Sequence, residues 1–291
     1  MQNLLQKIIK TVLIIIFSIL ILLIILLISV KNLAWSYTDS ELKNKLNHLP
    51  HKVFNDKING RNIRSVEVGN DDLPITILLH GSPNTLREFF QYPFLTDTNL
   101  LNHTALVAID RPGYGGSDFG NIEISAWKQA ELMRPVIERY KNRKITVVGF
   151  SYGGTVAAAL AMQNPEVVHK TLLCSASLIA GEEYVPAIAR WCLKPSLAPL
   201  VPELARLASV EKIGHFEVLK EIEPHWGKIK GEVRFIHGDT DDLIYYTNAT
   251  KAMELLNKNV SKSLITQKGI GHLVLKKNPK VIKDTIIELA K

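Results

Sequence analysis

A serine lies between two glycines at residues 149–153, which read Gly-Phe-Ser-Tyr-Gly. The apolar run 145–148 precedes this pentapeptide, and the helix-prone run 155–162 follows it. Ser151 is therefore expected on a tight turn from a strand into a helix, where flanking glycines let neighbouring chains approach closely. Its hydroxyl would lie by the helix amino terminus, whose partial positive charge favours a developing oxyanion. The pattern predicts a nucleophilic serine.

The elements that must position this serine are short apolar runs that alternate with helical stretches. Strand candidates are 53–57, 63–68, 75–79, 105–109, 145–148, 171–174, 233–236 and 263–265. Asn59-Gly60 separates the first two and is a strong hairpin signal. The later runs have the spacing of crossover units on a largely parallel sheet. The sequence predicts one doubly wound α/β domain.

Helices are predicted between and after these strands. Apolar residues from Ala126 to Tyr140 recur at spacings of three and four, one face of a helix that Pro135 could kink. Pro279 is expected as the first residue of a closing helix. Residues 177–230 contain several prolines and two tryptophans but no clear strand. This stretch is predicted to be an inserted helical cap.

The amino-terminal segment 11–30 is a run of twenty residues without a charge. At about 1.5 Å per residue it makes roughly 30 Å of helix, enough to cross the hydrocarbon core. The run exceeds the roughly 7–15 apolar residues of a cleaved signal peptide, and no convincing small-x-small cleavage site follows. An uncleaved transmembrane anchor over 8–30 is favoured over a cleaved signal or a buried soluble helix.

The charges beside this anchor bear on its orientation. Lys7 and Lys10 precede the run without an acidic neighbour, and this asymmetry favours the amino terminus inside and the remainder on the non-cytoplasmic side. Residues 31–50 are polar and are predicted to be a linker. A short helix in it would be capped by Asp39 or Ser40 and would stop at Pro50.

Composition narrows the classes of partner and cofactor. The chain has 291 residues, 46% of them hydrophobic, which is ample for a packed core. Its net charge of +7 comes from scattered basic residues, which favours a diffuse positive surface, with contact to anionic lipid headgroups as the functional alternative. No nucleic-acid-binding motif and no metal-ligand spacing occurs. No nucleic acid, metal or cofactor is expected.

Two cysteines occur in the chain, Cys174 and Cys192. Cys174 lies in an apolar strand-like run, which favours a buried free thiol. A disulfide between the two requires an oxidising compartment, so the sequence leaves both states open.

Over roughly residues 50–290 the chain resembles the α/β-hydrolase family. Four landmarks carry the resemblance: residues 80–83 (His-Gly-Ser-Pro) resemble its oxyanion loop, 110–118 (Asp-Arg-Pro-Gly-Tyr-Gly-Gly-Ser-Asp) its D-x-P-G-x-G-x-S turn, 149–153 its nucleophile elbow, and 237–241 with 269–272 its acid and histidine loops. The resemblance implies an α/β-hydrolase fold over 51–291, with a mostly parallel central sheet flanked by helices and the cap 177–230 inserted.

The resemblance also implies catalytic roles. Ser151 is the nucleophile, His272 the general base, and Asp241 the carboxylate that fixes the tautomer of the base. Asp239 and Asp242 are rivals for the acid, since either could instead cap the following helix.

Other residues near the implied site receive supporting roles. The backbone amides of Ser82 and Tyr152 are expected to form the oxyanion hole. His80 is expected to hold its loop by hydrogen bonds, and Asp110 and Asp118 to fix a turn. Aromatic and histidine residues of the cap could line an acyl pocket or simply pack there: Trp191, His215, Phe216, His225 and Trp226.

Serine at the elbow disfavours haloalkane dehalogenase and epoxide hydrolase chemistry, because both need a carboxylate nucleophile there. Acyl transfer to water is favoured, with a carboxylic ester cleaved through an acyl-enzyme on Ser151. The substrate would be a small-molecule ester or, given the anchor, a lipid-derived one. Peptidase, carbon–carbon bond hydrolase and haloperoxidase activities remain open. So does a membrane-anchored binding protein without turnover, although such proteins usually lack one of the catalytic residues.

Overall fold

The computed structural model describes residues 2–30 and 35–291, which are built around one eight-stranded sheet. The strands are β1 (His51–Ile58), β2 (Arg61–Val68), β3 (Ile75–Leu79), β4 (Ala105–Ile109), β5 (Ile145–Phe150), β6 (Val168–Cys174), β7 (Glu232–Gly238) and β8 (Ser261–Gln267). Their order in the sheet is β1-β2-β4-β3-β5-β6-β7-β8. β1, β2 and β4 pair antiparallel, and all other pairs are parallel. The predicted, mostly parallel α/β sheet is confirmed.

The edge hairpin turns at Asn59 and Gly60. Their φ angles are +49° and +73°, the left-handed values that a two-residue turn between twisted strands requires. The register pairs Ile58 with Arg61 across this turn. The local Asn-Gly signal therefore set the pairing of β1 with β2.

The structure describes twelve α-helices, and helices after α1 cover both faces of the sheet. The twelve are α1 (Gln2–Val30), α2 (Asp39–Lys45), α3 (Glu88–Gln91), α4 (Thr98–Leu101), α5 (Ala126–Leu132), α6 (Arg134–Tyr140), α7 (Tyr152–Gln163), α8 (Ala187–Cys192), α9 (Glu203–Ile222), α10 (Thr247–Leu255), α11 (Val274–Lys277) and α12 (Pro279–Ala290). Neighbouring residues of β3 alternate between the faces: Ile77 packs into one core, and Leu78 into the other. Two covered faces explain why the central strands are uninterrupted apolar runs.

Pro135 divides the predicted helix 126–140 into α5 and α6. Met133 joins the two, and Pro135 is the second residue of α6. Proline has no amide hydrogen, and its ring clashes with the carbonyl one turn earlier, so a break replaces the expected kink.

A capping box begins helix α2, and its cap is Thr38 rather than Asp39 or Ser40. The Thr38 hydroxyl accepts from the Glu41 amide at 3.2 Å, while the Glu41 carboxylate accepts from the Thr38 amide at 2.7 Å. Thr-x-x-Glu is the signature of this motif and is visible in the sequence.

The predicted linker 31–50 is structured where it is described, from residue 35 onward. Leu42 of α2 and Leu46, which directly follows α2, are fully buried in the same core as Val66 of β2. This part of the chain packs on the sheet instead of acting as a free spacer, because the two leucines lie four residues apart on one helix face. Residues 31–34 lie outside the described residues.

Between β6 and β7 the chain is helical. It contains α8, α9 and the short 3₁₀ helices Pro195–Leu197 and Glu223–Lys228. This insertion lies where the cap was predicted. It covers the carboxyl ends of the strands, since Glu211 and His215 of α9 line a cavity together with Ser151.

Helix α1 contains an apolar stretch, Gln6–Leu26, with mean hydropathy 3.2 and none of it buried against the rest of the protein. By length and composition this helix can cross a membrane. Phe17 and Leu22 are 63% and 66% exposed, so the helix gains no apolar environment from the globular part of the chain.

Candidate active site

The turn at Ser151 is tight and strained. Ser151 lies between β5 and α7 with φ +52° and ψ −122°, a conformation that a non-glycine residue adopts only when its surroundings enforce it. A Cβ at Gly149 would come within 2.3 Å of the Gly153 carbonyl oxygen, and one at Gly153 within 2.4 Å of the His80 carbonyl oxygen. Only glycine fits at either position, so this turn points the serine side chain away from the crowded backbone.

Three of the sequence-predicted residues form a hydrogen-bonded row. His272 Nε2 lies 3.0 Å from Ser151 Oγ, and His272 Nδ1 lies 2.9 Å from Asp241 Oδ2. They follow β5, β7 and β8, whose carboxyl ends meet at one edge of the parallel sheet. Asp239 instead accepts from the Gly269 amide at 2.7 Å, and Asp242 is exposed. The structure thus brings Asp241, and neither rival, to the histidine.

Hydrogen bonds keep the buried carboxylate of Asp241 ionised. Its Oδ1 accepts from the amides of Leu243 and Ile244 at 3.0 and 2.9 Å, and its side chain is fully buried. Burial raises the pKa of Asp241, but hydrogen bonds from His237 and His272 outweigh it and hold the pKa well below its usual range. The carboxylate therefore stays charged opposite the imidazole of His272.

His237 is a functional neighbour that sequence reasoning missed. Its Nε2 lies 2.9 Å from the Ile244 carbonyl oxygen and 3.3 Å from Asp241 Oδ2. The side chain is 2% exposed. Its position four residues before Asp241 was visible, but a histidine at the end of a strand carries no signal of which way it faces.

Two backbone amides next to Ser151 are free to bind an anion. Within residues 35–291 the Ser82 amide donates to no protein acceptor. Tyr152 is the first residue of α7, where an amide has no partner inside the helix. A Cβ at Gly81 would lie 3.3 Å from Ser151 Cβ, so this loop runs directly beside the serine.

His80 and Asp110 fasten the two loops behind the serine. His80 Nε2 accepts from the Arg111 amide at 3.0 Å, which places the proton on Nδ1, 2.8 Å from the Gly81 carbonyl oxygen. Burial and the Arg111 charge hold the pKa of His80 well below its usual value, so it stays neutral. Asp110 accepts from the amides of Leu86 and Gly116 at 2.8 and 2.9 Å. Both residues position backbone and do not contact the serine.

A buried ion pair joins these loops to the cap. Arg111 donates to Glu211 of α9 at 2.7 Å, and their side chains are 0% and 1% exposed. The Tyr114 hydroxyl also donates to Glu211, at 2.7 Å, while Arg111 Nε donates to the His80 carbonyl at 3.0 Å. The ion pair joins residues a hundred positions apart, and no local sequence pattern predicts it.

Two cavities flank Ser151. The first, of about 270 Å³ under the cap, is lined by Ser151, Ile188 and Ile244, and its polar wall includes Glu183 and His215. Glu183 accepts from His215 at 3.0 Å and from Lys212 at 2.6 Å. These contacts satisfy the charges, so the remaining walls offer a mostly apolar surface to a ligand.

The cap residues named in the sequence analysis differ in whether they border the cavity, lie in the core or are exposed. His215 lines the first cavity and stacks on Tyr152 at a ring distance of 4.5 Å. Trp226 is buried in the core, while Trp191 and Phe216 are 55% and 48% exposed. Of these side chains, His215 alone borders this cavity.

The second cavity, of about 250 Å³, lies on the other side of the serine and is bordered by His272, Glu88 and Tyr92. The Glu88 carboxylate accepts from the Gly81 amide at 3.3 Å. Burial raises the pKa of Glu88 to about 7. A carboxyl group that titrates near neutral pH therefore supports the loop beside Ser151.

The two cysteines are free thiols. Cys174 is buried, and burial raises the pKa of its thiol well above the usual value. Among the described residues no group of three or more histidine, cysteine or acidic side chains has the arrangement of a metal site.

A sequence model of the family described as alpha/beta hydrolase fold matches residues 74–195. An epoxide hydrolase 1 from Caenorhabditis elegans is 34% identical over 113 residues, which are 38% of this chain and 27% of that protein. A poly(3-hydroxyalkanoate) depolymerase from Ectopseudomonas oleovorans is 27% identical over 251 residues, 75% of this chain and 85% of that one. The chain thus spans about a quarter of the first relative and most of the second.

Among solved structures, a bacterial membrane phospholipase A described as a virulence factor superposes with a TM-score of 0.65. Its sequence is 20% identical, and the match covers 100% of this chain and 99% of the other. At this identity the likeness concerns the fold. The sheet order, the elbow, the match over residues 74–195 and these neighbours together show that the chain has the alpha/beta hydrolase fold.

Proposed function

We propose that the chain is a serine hydrolase that cleaves carboxylic esters through an acyl-enzyme on Ser151. The observation that carries this proposal is the row of Ser151, His272 and Asp241, with its two contacts of 3.0 and 2.9 Å. These are the distances at which a base takes a proton from the serine and a carboxylate stabilises the resulting imidazolium.

In the proposed reaction, His272 Nε2 takes the proton of Ser151 as its Oγ attacks the ester carbonyl. The amides of Ser82 and Tyr152 donate to the oxyanion of the tetrahedral intermediate. His272 then gives the proton to the departing alcohol, which leaves the acyl group on Ser151. Water activated by His272 releases the acid, and the serine is restored.

The cavities and the neighbours favour an ester of modest size, including a lipid-derived one. Two spaces of about 270 and 250 Å³ meet at Ser151, one on each side, as the acyl and alcohol parts of an ester require. The names of two neighbours, a poly(3-hydroxyalkanoate) depolymerase and a membrane phospholipase A, refer to ester substrates. Epoxide hydrolysis through an alkyl-enzyme does not fit, because Ser151 stands where a carboxylate is needed.

We further propose that residues 8–30 anchor the protein in a membrane as a single span, with the hydrolase domain on the non-cytoplasmic side. The exposed apolar helix Gln6–Leu26 supports the anchor, and the basic residues before it support the orientation. Protease added to sealed cells should degrade residues 35–291. Complete protection of this part in sealed cells, with degradation after lysis, would reverse the orientation.

The test of function is hydrolysis of p-nitrophenyl esters from acetate to palmitate by the full chain in neutral detergent. We expect Ser151→Ala to lower kcat by at least about a thousandfold, and Ser263→Ala, on the exposed face of β8, to leave it unchanged. Turnover that persists in Ser151→Ala would refute the assignment of the nucleophile.

A fluorophosphonate probe separates the remaining alternatives. Labelling that depends on Ser151, without turnover of any ester, would favour the peptidase or carbon–carbon bond hydrolase chemistry that shares these residues. Absence of both labelling and turnover in a folded protein would favour a membrane-anchored binding protein.

A further inference from the structure

A groove of about 710 Å³ lies between the segment that follows α1, helix α2 and the start of α3. We call it the basic groove and define it by Trp35, Tyr37, Lys45, Asn84 and Arg87. The Lys45 ammonium and the Arg87 guanidinium both lie over the Tyr37 ring, at 4.6 and 5.3 Å from its centre. Both cations therefore border the groove beside one aromatic ring, and both are available to an anionic group that enters it.

The basic groove has no carboxylate of its own among the described residues. In residues 35–291 neither Lys45 nor Arg87 has an acidic partner within ion-pair distance. The carboxylate that feels both cations, Glu41, is bound by the Thr38 amide and hydroxyl, and these hydrogen bonds lower its pKa. The unpaired cations favour an external anion.

The basic groove must lie near the end of the membrane span. Trp35 lines the groove and follows Val30, the last residue of α1, by five positions. Five residues reach at most about 18 Å. Tryptophan, tyrosine and basic residues are the side chains that proteins place at the headgroup level of a bilayer.

The groove is adjacent to the candidate active site. Pro83 lines the groove and both cavities at Ser151, and Asn84 lines the groove and the cavity that contains His272. A single molecule could therefore place an anionic group in the groove and an ester carbonyl at Ser151.

We propose that the basic groove binds the phosphate of a glycerophospholipid headgroup while an acyl ester of the same lipid reaches Ser151. This inference rests on the proposed ester hydrolysis and names its substrate class. Lys45 and Arg87 contact the phosphate oxygens, and Trp35 and Tyr37 lie among the headgroups. The two cations set the preference for a phospholipid over an uncharged lipid ester.

The test measures binding without turnover. Full-length Ser151→Ala in neutral detergent is titrated with dihexanoyl phosphatidylglycerol and, separately, with uncharged dihexanoylglycerol. Adding Lys45→Gln and Arg87→Gln should weaken phosphatidylglycerol binding on the order of tenfold and thereby reduce the preference over dihexanoylglycerol. The control pair Lys43→Gln and Lys57→Gln removes the same charge from exposed positions outside the groove and should preserve the preference.

Three results would overturn the inference. One is equal affinity for the two lipids before the groove is altered. Another is an equal loss of preference in the control pair, which would indicate general surface charge. The third is competition by free glycerol 3-phosphate at the affinity of the lipid, which would indicate a soluble phosphate ligand. Because these titrations use Ser151→Ala, they remain decisive even if p-nitrophenyl ester hydrolysis fails.

Discussion

At the scale of single residues, burial and hydrogen bonds decide whether each carboxyl group of the site is charged. Asp241 and Glu88 are both carboxyl groups close to Ser151, and their surroundings move their pKa values in opposite directions. Two amides and two histidines contact Asp241, whereas Glu88 has one amide at 3.3 Å. One group is therefore fixed as an anion, and the other titrates near neutral pH.

Asp241→Asn tests the first of these groups. An amide cannot stabilise the imidazolium and favours the wrong tautomer of His272, so we expect kcat to fall on the order of ten-thousandfold. The measurement is p-nitrophenyl butyrate hydrolysis near pH 8. Asp239→Asn, whose carboxylate bonds to the Gly269 amide, is the matched control. A larger loss in Asp239→Asn would transfer the role of the acid to that residue.

Glu88 predicts a pH dependence of stability. Its folded pKa of about 7 lies above the ordinary 4.5, so the folded state holds the extra proton and is favoured at low pH. That contribution is complete below about pH 4.5 and is lost as pH rises through 7, up to about 3 kcal/mol. Urea unfolding of wild type and Glu88→Gln at pH 5 and 8 checks this. From pH 5 to pH 8 the free energy of unfolding of the wild type should fall relative to that of the variant. An equal change in the two proteins would contradict the prediction.

At the scale of elements, the cap is held by charges buried beneath it. Arg111 follows β4 and Glu211 lies on α9, and their contact joins the oxyanion loop to the roof of the first cavity. Removing one partner of a buried pair leaves an uncompensated charge, whereas an exposed pair is worth little. The cap position and the loop position are therefore coupled.

Glu211→Gln should lower the free energy of unfolding by about 3–5 kcal/mol and increase proteolysis within 177–230. Glu288→Gln, which removes one of the two carboxylate partners of Arg234 near the surface, should cost about 0–1 kcal/mol. Urea unfolding and limited proteolysis of the two variants provide the comparison. Equal stability of both variants would mean that the cap does not depend on this pair.

At the scale of the whole molecule, residues 35–50, which lie between the apolar helix α1 and the sheet, belong to the folded body. Leu42 and Leu46 are fully buried, and Arg64 of β2 donates to the Tyr37 carbonyl at 2.6 Å. These contacts hold residues 35–50 against the domain.

Leu42→Ala is expected to lower the free energy of unfolding by about 2–5 kcal/mol, because the removed methyl groups leave a cavity in the core. Lys43→Ala, at the exposed next position, should change it by less than about 0.5 kcal/mol. Urea unfolding in neutral detergent measures both. A loss below 1 kcal/mol for Leu42→Ala would show that this segment is dispensable for the fold.

Local sequence was sufficient to locate the strands. Alternating segments located β1 and β2, and apolar runs located the other strands. The sheet extended β6, β7 and β8 a few residues beyond those runs, since ladder hydrogen bonds do not require apolar side chains. Asn59-Gly60 specified the hairpin, and glycines around Ser151 specified the elbow. These features depend on backbone conformation and local burial, which neighbouring residues control.

Tertiary structure alone decided which distant groups meet. The Arg111–Glu211 pair, the two cavities at Ser151 and the basic groove each join separate segments of the chain. Side-chain direction at a strand end or loop depends on packing across the whole sheet, and no spacing in the sequence encodes it. The sequence by itself determined the α/β-hydrolase fold and the candidate nucleophile and base, and the folded chain determined the charges around them.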